Sequence, residues 1–249
     1  MTSALQLRNV SKSFGALKVV DDVSLDVAIG ERRAILGPNG AGKTTLFNVI
    51  NGDIKASSGR ICVFDEEVTP WTVAKRAKLG LRRTYQSSEL FDSLTAEQNL
   101  SVALSCPNGS SWNPFVTWRS GAGIADRIDA VLEQMNLTHA KNRLAGNLSH
   151  GERRQLELGM AIAYDPKILL LDEPAAGLSE EERLNLVDLL ARIDTKVTIL
   201  MIEHDMRIAL GFADYVSVLA NGKMIAEGTP EEISNNELVQ RVYIGEKNE

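Results

Sequence analysis

The sequence is short of the features that would place it in several common classes. It has only two cysteines in 249 residues, Cys62 and Cys106, far apart and without metal-ligand spacing. That excludes a disulfide framework and gives no sign of a zinc site. It lacks a basic excess, since 27 Lys+Arg face 33 Asp+Glu for a formal charge of −6, and a nucleic-acid binder needs clustered cations. The segment Met1–Gln6 has neither the basic stretch nor the apolar core of a secretory signal. No apolar run approaches the roughly 20 residues that span a bilayer. The expectation is a soluble, cytoplasmic chain. What remains is 44% hydrophobic and 24% charged, an ordinary globular balance. The length allows one large domain or two small ones, with a full core and no disulfide support.

Apolar spacing along the chain outlines its organisation. Leu5, Leu7 and Val10, then Val23, Leu25 and Val27, approximate period two, and Gly15 and Gly30 punctuate them. Ala34-Ile35-Leu36 reads as a short strand, followed by a helix from about Thr44 to Ile50 that Asn51-Gly52 closes. Strands are expected near 60–64 and 81–85, with a helix over 72–79. From about 95 to 164 the pattern is helical, with one stripe of Ile128, Leu132 and Met135 and another of Leu156, Met160 and Ala163. A Ser-, Gly-, Pro- and Trp-rich insert at 105–123 interrupts it. Buried strands then return at 168–171 and 197–202, with helices at 180–193 and 206–212. Strands at 216–219 and 224–226 flank the hairpin signal Asn221-Gly222. No internal repeat is evident. The pattern predicts a sheet-and-helix core interrupted by a mostly helical arm at about 88–165.

Gly37-Pro38-Asn39-Gly40-Ala41-Gly42-Lys43-Thr44 fits G-x-x-x-x-G-K-[ST] at every fixed position, between a strand and a helix. The glycines let backbone N–H groups converge on a phosphate. The helix N-terminus adds unpaired N–H groups and the positive end of its dipole. Lys43 supplies charge to the β- and γ-phosphates, and the Thr44 hydroxyl is a Mg²⁺ ligand. A nucleoside triphosphate is the implied ligand.

Ile168-Leu169-Leu170-Leu171-Asp172-Glu173 is an apolar strand ending in two carboxylates. Open parallel sheets bind ligands beyond their C-terminal strand ends, where a phosphate loop also sits. Asp172 is then placed to hold Mg²⁺, through water, and Glu173 to accept a proton from attacking water. His204 ends the next strand. A lone histidine is ordinarily a satisfied structural group, but here it is a candidate γ-phosphate sensor or transition-state donor. Gln86, after the strand at 81–85, reads on its own as a surface residue. Ser149-His150-Gly151-Glu152 begins a helix 23 residues before Asp172, and Ser149 with Glu152 makes a capping box. Such a helix start is also an anion site.

Together these residues resemble the ATP-binding cassette (ABC) ATPases across essentially the whole chain. The phosphate loop, Gln86, the signature Leu148–Glu152, Asp172-Glu173 and His204 occur in that family's order. The resemblance implies an α/β fold: a P-loop nucleotide-binding core with an N-terminal antiparallel β subdomain and an inserted α-helical subdomain. Residues 1–249 would form a single ABC ATPase domain, with core at 1–87 and 166–249 and helical subdomain at 88–165. It implies that ATP and Mg²⁺ occupy 37–45, Thr45 included, with Phe14 stacked on adenine. Gln86 would contact Mg²⁺ and the attacking water while linking the site to a membrane partner. Ser149 and Gly151, with Glu152 beside them, would reach the γ-phosphate held by a second protomer, identical or paralogous.

Three positions depart from the family pattern: His150 where Gly is usual, Glu152 where Gln is frequent, and Ser179 where most members have Asp. Several segments narrow the resemblance further, among them Arg83-Thr84-Tyr85-Gln86, Leu90–Thr95, Glu173–Leu178 and the ending Val242-Tyr243-Ile244-Gly245. They look like the ATPase subunits of importers for branched-chain amino acids, urea or short-chain amides, peripheral on the cytoplasmic face of the membrane. The implied partners are transmembrane permeases and, indirectly, an extracytoplasmic solute-binding protein. Leu90, Phe91 and Leu94 are either anchors for the permease or packing of the arm. Lipid and lipopolysaccharide exporters share the tail and much of the core pattern and form the alternative. A soluble ABC ATPase acting on ribosomes or DNA is disfavoured by the single cassette and by six carboxylates against Lys223, Arg241 and Lys247 after Gly222. A reading as a P-loop GTPase or kinase fails because the sequence lacks a base-reading N-K-x-D element, and it leaves 148–155 unexplained.

Overall fold

The computed structural model describes residues 3–84, 90–105 and 123–245. The chain divides into two units, one of 1–83, 167–174 and 193–249 and one of 84–166 and 175–192.

The first unit opens with strands β1 (Ser3–Phe14) and β2 (Leu17–Ala28), paired antiparallel through a turn at Gly15. Their alternate apolar residues, Leu5, Leu7 and Val10 against Val23, Leu25 and Val27, are buried, as period-two spacing requires. The phase slips by one residue between Leu7 and Val10, where the register shifts and Asn9 adopts φ 50. This local irregularity keeps Val10 on the core side. Strands β4 (Ser58–Val63) and β5 (Glu66–Glu67) complete a sheet of order β2-β1-β4-β5.

The second sheet of this unit contains β3 (Arg32–Leu36), β6 (Leu81–Thr84), β7 (Ile168–Asp172), β8 (Thr198–Ile202), β9 (Tyr215–Ala220) and β10 (Lys223–Gly228). Its order is β10-β9-β3-β8-β7-β6. β3 runs parallel to β8 and β9, and β7 parallel to β8, while β10 returns antiparallel to β9. Every residue of β7 and β8 is buried, the mark of inner strands covered on both faces. Helix α1 (Lys43–Asn51) contributes Leu46, Phe47, Val49 and Ile50 to a core shared with both sheets. Arg76, on α2 (Val73–Lys78), is buried and donates to the carbonyls of Val49 and Ile50 at the end of α1.

The second unit holds α3 (Ala96–Ser105), α4 (Ile124–Gln134), α5 (His150–Ile162) and α6 (Glu180–Ala191). Ile128, Val131 and Leu132 bury one face of α4, and Leu156, Leu158 and Ile162 bury one face of α5. Met160 is only half-buried. Gly159 lets the helices approach closely, since a Cβ there would lie 3.1 Å from Val131 Cγ1.

The first unit also holds α7 (Met206–Phe212), and it ends in two helices that the apolar pattern does not predict, α8 (Pro230–Ser234) and α9 (Glu237–Gly245). Their start was legible: Thr229 and Glu232 form a capping box with Pro230 at the first helical position. The insert at 105–123 falls almost wholly outside the described residues. Among the described residues, no helix is long and apolar enough to cross a membrane.

Candidate active site

Register aligns the chemistry of the first unit. Ile35 on β3 pairs with Ile202 on β8, which pairs with Asp172 on β7. These parallel strands therefore end in one row, and the residues just beyond them share one edge of the sheet. Gly37, Glu173, Glu203 and His204 all follow within two residues of that row.

The loop after β3 is shaped by close backbone approaches. A Cβ at Gly37 (φ 156) would overlap the Leu219 carbonyl oxygen. At Gly42 (φ 99) it would lie 2.5 Å from the Val19 carbonyl oxygen. Side chains are excluded at these points by backbone that cannot swing away. Gly40 (φ 75), by contrast, faces open space. The Gly222 N–H donates to the Ala41 carbonyl at 3.0 Å and fixes the β9–β10 turn against the loop. Pro38 is half-buried and Asn39 exposed.

Lys43 is 6% exposed. Its ammonium donates to the carbonyls of Gly37 at 2.6 Å and Pro38 at 2.9 Å, so it lies back across the loop. Gly42 caps α1 without any side-chain hydrogen bond, and no acidic residue stands in the first turn. A helix start of this kind presents N–H groups and positive potential to an anion. Thr44 is exposed there and Thr45 half-buried. Phe14 is 51% exposed at the end of β1, with Lys12 Nζ 4.9 Å from its ring centroid.

Asp172 is buried, and its Oδ2 accepts from Arg83 Nη2 at 2.7 Å. Glu173, half-buried, adopts φ 47, which is unusual for a non-glycine residue and costs backbone strain. Its N–H donates to the Ile202 carbonyl at 3.0 Å, locking the turn after β7. Glu203 is fully buried, and its Oε2 accepts the N–H of His204, whose own side chain is 53% exposed. The hydroxyl of Thr44 and the carboxylate of Asp172 are hard oxygen donors suited to Mg²⁺. Among the described residues, no cluster of three or more His, Cys, Asp or Glu forms an all-protein cage. An ion at such a site draws its other ligands from phosphate oxygens and water. Gln86 lies outside the described residues.

In the second unit, Ser149 caps α5: its Oγ accepts the Glu152 N–H, and Glu152 Oε2 accepts the Ser149 N–H at 2.7 Å. Glu152 also accepts from His139 and Arg143. Burial alone would raise its pKa, but the Ser149 N–H, His139 and Arg143 outweigh that and bring it down to about 2. Gly151 is buried while Ser149 is exposed. The departing residues have clear partners. His150 Nε2 lies 3.2 Å from the Ala176 carbonyl, and Ser179 caps α6 in a second capping box with Glu182. Phe91 is 51% exposed, on a loop held by the buried Asn99, which bonds Phe91, Leu94 and Thr95. Leu90 and Leu94 are half-buried.

Arg83, Glu182 and Glu203 were not singled out from the sequence. Glu182 was findable from the S-x-x-E spacing with Ser179. Arg83 and Glu203 gave no pattern of their own, because their partners come from distant strands.

The family model described as "ABC transporter" matches residues 20–176, and the model described as "Branched-chain amino acid ATP-binding cassette transporter" matches 223–248. The chain is 38% identical to the high-affinity branched-chain amino acid transport ATP-binding protein LivG of Salmonella typhimurium, covering 97% of this chain and 98% of LivG. It is 37% identical to the corresponding protein BraF of Pseudomonas aeruginosa, with the same coverage. Among solved structures, the ADP conformation of MJ1267, an ATP-binding cassette of an ABC transporter, superposes with a TM-score of 0.88 at 31% identity, covering 98% of this chain and 100% of that one.

Proposed function

Because the chain belongs to the ABC transporter family as an ATP-binding chain, we propose that it is the ATP-hydrolysing subunit of an importer for branched-chain amino acids or related small solutes such as urea and short-chain amides. The observation that carries the nucleotide reading is the alignment of Asp172 with the row of parallel strand ends, and of Gly37 and Glu173 just beyond it. The 37–38% identity to LivG and BraF over nearly the whole chain favours this import class over lipid export.

In this reading the N–H groups of 37–45 and the Lys43 ammonium neutralise the triphosphate, the ammonium leaving its two loop carbonyls for phosphate oxygens. Phe14 offers its exposed ring to the base. Thr44 and Asp172 would hold the metal, together with Gln86. When bound there, Mg²⁺ would supply charge neutralisation to the triphosphate. Glu173 accepts the proton of the attacking water, its strained backbone fixing the carboxylate direction, and His204 donates to the γ-phosphate. Ser149, Gly151 and Glu152 of a second copy, or of a paralogue, close the site from the other side. Leu90, Phe91 and Leu94 dock the transmembrane permeases, which keeps the chain peripheral on the cytoplasmic face, and a solute-binding protein contributes only through those permeases.

Reconstitution of the chain with its permeases in proteoliposomes tests the reading. ATP-dependent uptake of leucine, urea or an amide is the expected result. Nucleotide hydrolysis stimulated by lipid or lipopolysaccharide, without solute uptake, would move the chain to the exporter class.

A further inference from the structure

Arg83, at the end of β6, stands at the edge of the candidate site. Its side chain is 3% exposed, against 2% for the Asp172 carboxylate that it contacts. While Nη2 donates to Asp172 Oδ2 at 2.7 Å, Nη1 donates to Asn48 Oδ1 at 2.6 Å and to Asp53 Oδ2 at 2.9 Å. Asn51 also donates to Asp53 Oδ2, at 2.8 Å, tying that carboxylate to the end of α1. The guanidinium carbon stands 5.9 Å from the Phe47 ring centroid. One planar fork thus bridges the end of β7, the body of α1 and the turn after it.

The placement on α1 carries the argument. Asn48 lies four residues after Thr44, one turn along the same face of the helix. Thr44 and Asp172 are the two oxygen donors read here as serving one cation, and both are referenced to a single guanidinium. A rigid fork fixes the separation and angle of its acceptors in a way that a lysine on a flexible stem does not. A carboxylate withdrawn from water also needs a counter-charge.

We propose that Arg83 is a positioning residue for the metal-facing Asp172, setting the spacing between that carboxylate and the helix that carries Thr44. This rests on the nucleotide-site reading above and extends it to a residue that touches neither nucleotide nor metal.

The test is binding of a fluorescent ATP analogue to the purified full chain, titrated with Mg²⁺ and repeated in EDTA, for the parent, Arg83→Lys and Arg83→Gln. The Mg²⁺ concentration for half-maximal enhancement is expected to rise roughly tenfold in Arg83→Gln, the usual scale for losing a residue that orients a metal ligand. Arg83→Lys, which keeps the charge but not the fork, is expected to fall between the two. Binding in EDTA is expected to stay at the parent level in both. Variants that melt at lower temperature yet keep the parent's Mg²⁺ dependence would overturn the proposal, since Arg83 would then serve only to neutralise a buried acid. Absence of any nucleotide binding by the parent would instead overturn the underlying site reading.

Discussion

The carboxylate of Glu182 packs so closely on Gly151 that a Cβ there would lie only 2.5 Å from Glu182 Oε1. The first turn of α5 thereby meets the first turn of α6. The same carboxylate closes the capping box on Ser179. Glu182→Ala removes both contacts at once. The expected loss is about 1 kcal/mol of unfolding free energy, the usual scale for a helix cap, measured by urea denaturation. A variant as stable as its parent would show that the tie contributes nothing.

Glu173 is expected to govern turnover and not binding. Glu173→Gln keeps the shape and the strained turn while removing the proton acceptor. Steady-state hydrolysis should fall by roughly 10²–10⁴, with nucleotide affinity unchanged. Unaltered hydrolysis would take Glu173 out of the role of base.

The loop glycines should rank by what lies behind them. Gly37→Ala drives a methyl into the Leu219 carbonyl, whereas Gly40→Ala meets open space and bears only the strain of φ 75. The first is expected to cost about 1–3 kcal/mol of stability and the second about 1 kcal/mol. Thermal unfolding of the two variants reads the order directly, and the reverse order would contradict this account of the loop.

Acid stability should carry the signature of Glu152. Its folded pKa is depressed from 4.5 to about 2. The stabilisation is therefore complete above the ordinary value and is lost as the pH falls from about 4.5 towards 2. In Glu152→Gln the parent's advantage in melting temperature should shrink across that window. A gap that stays constant with pH would show that the carboxylate's charge is not what the helix start uses.

The sheet and the phosphate loop were legible because their signals are local. Period-two spacing in β1 and β2, unbroken apolar runs in β7 and β8, and the glycines around Lys43 each encode their own geometry within a few residues. The second unit was legible as helical, but the contacts that Glu182 and His150 make between 150–151 and 176–182 were not, because no local pattern announces them. Arg83 was hidden for the same reason: its partners lie 35, 30 and 89 residues away in sequence. His150, a departure from the family pattern, has a partner in the Ala176 carbonyl that only the fold brings near.

The central claim is that backbone amides and Lys43 hold a Mg-nucleotide at the start of α1. Calorimetric titration of the purified chain with Mg-ATP, alongside Lys43→Ala, tests it most directly. The account predicts saturable binding at one site per chain in the parent and an affinity lower by roughly 10- to 100-fold in the variant, the scale of a lost charged hydrogen bond. Equal affinity in the two proteins, or no binding in either, would contradict it.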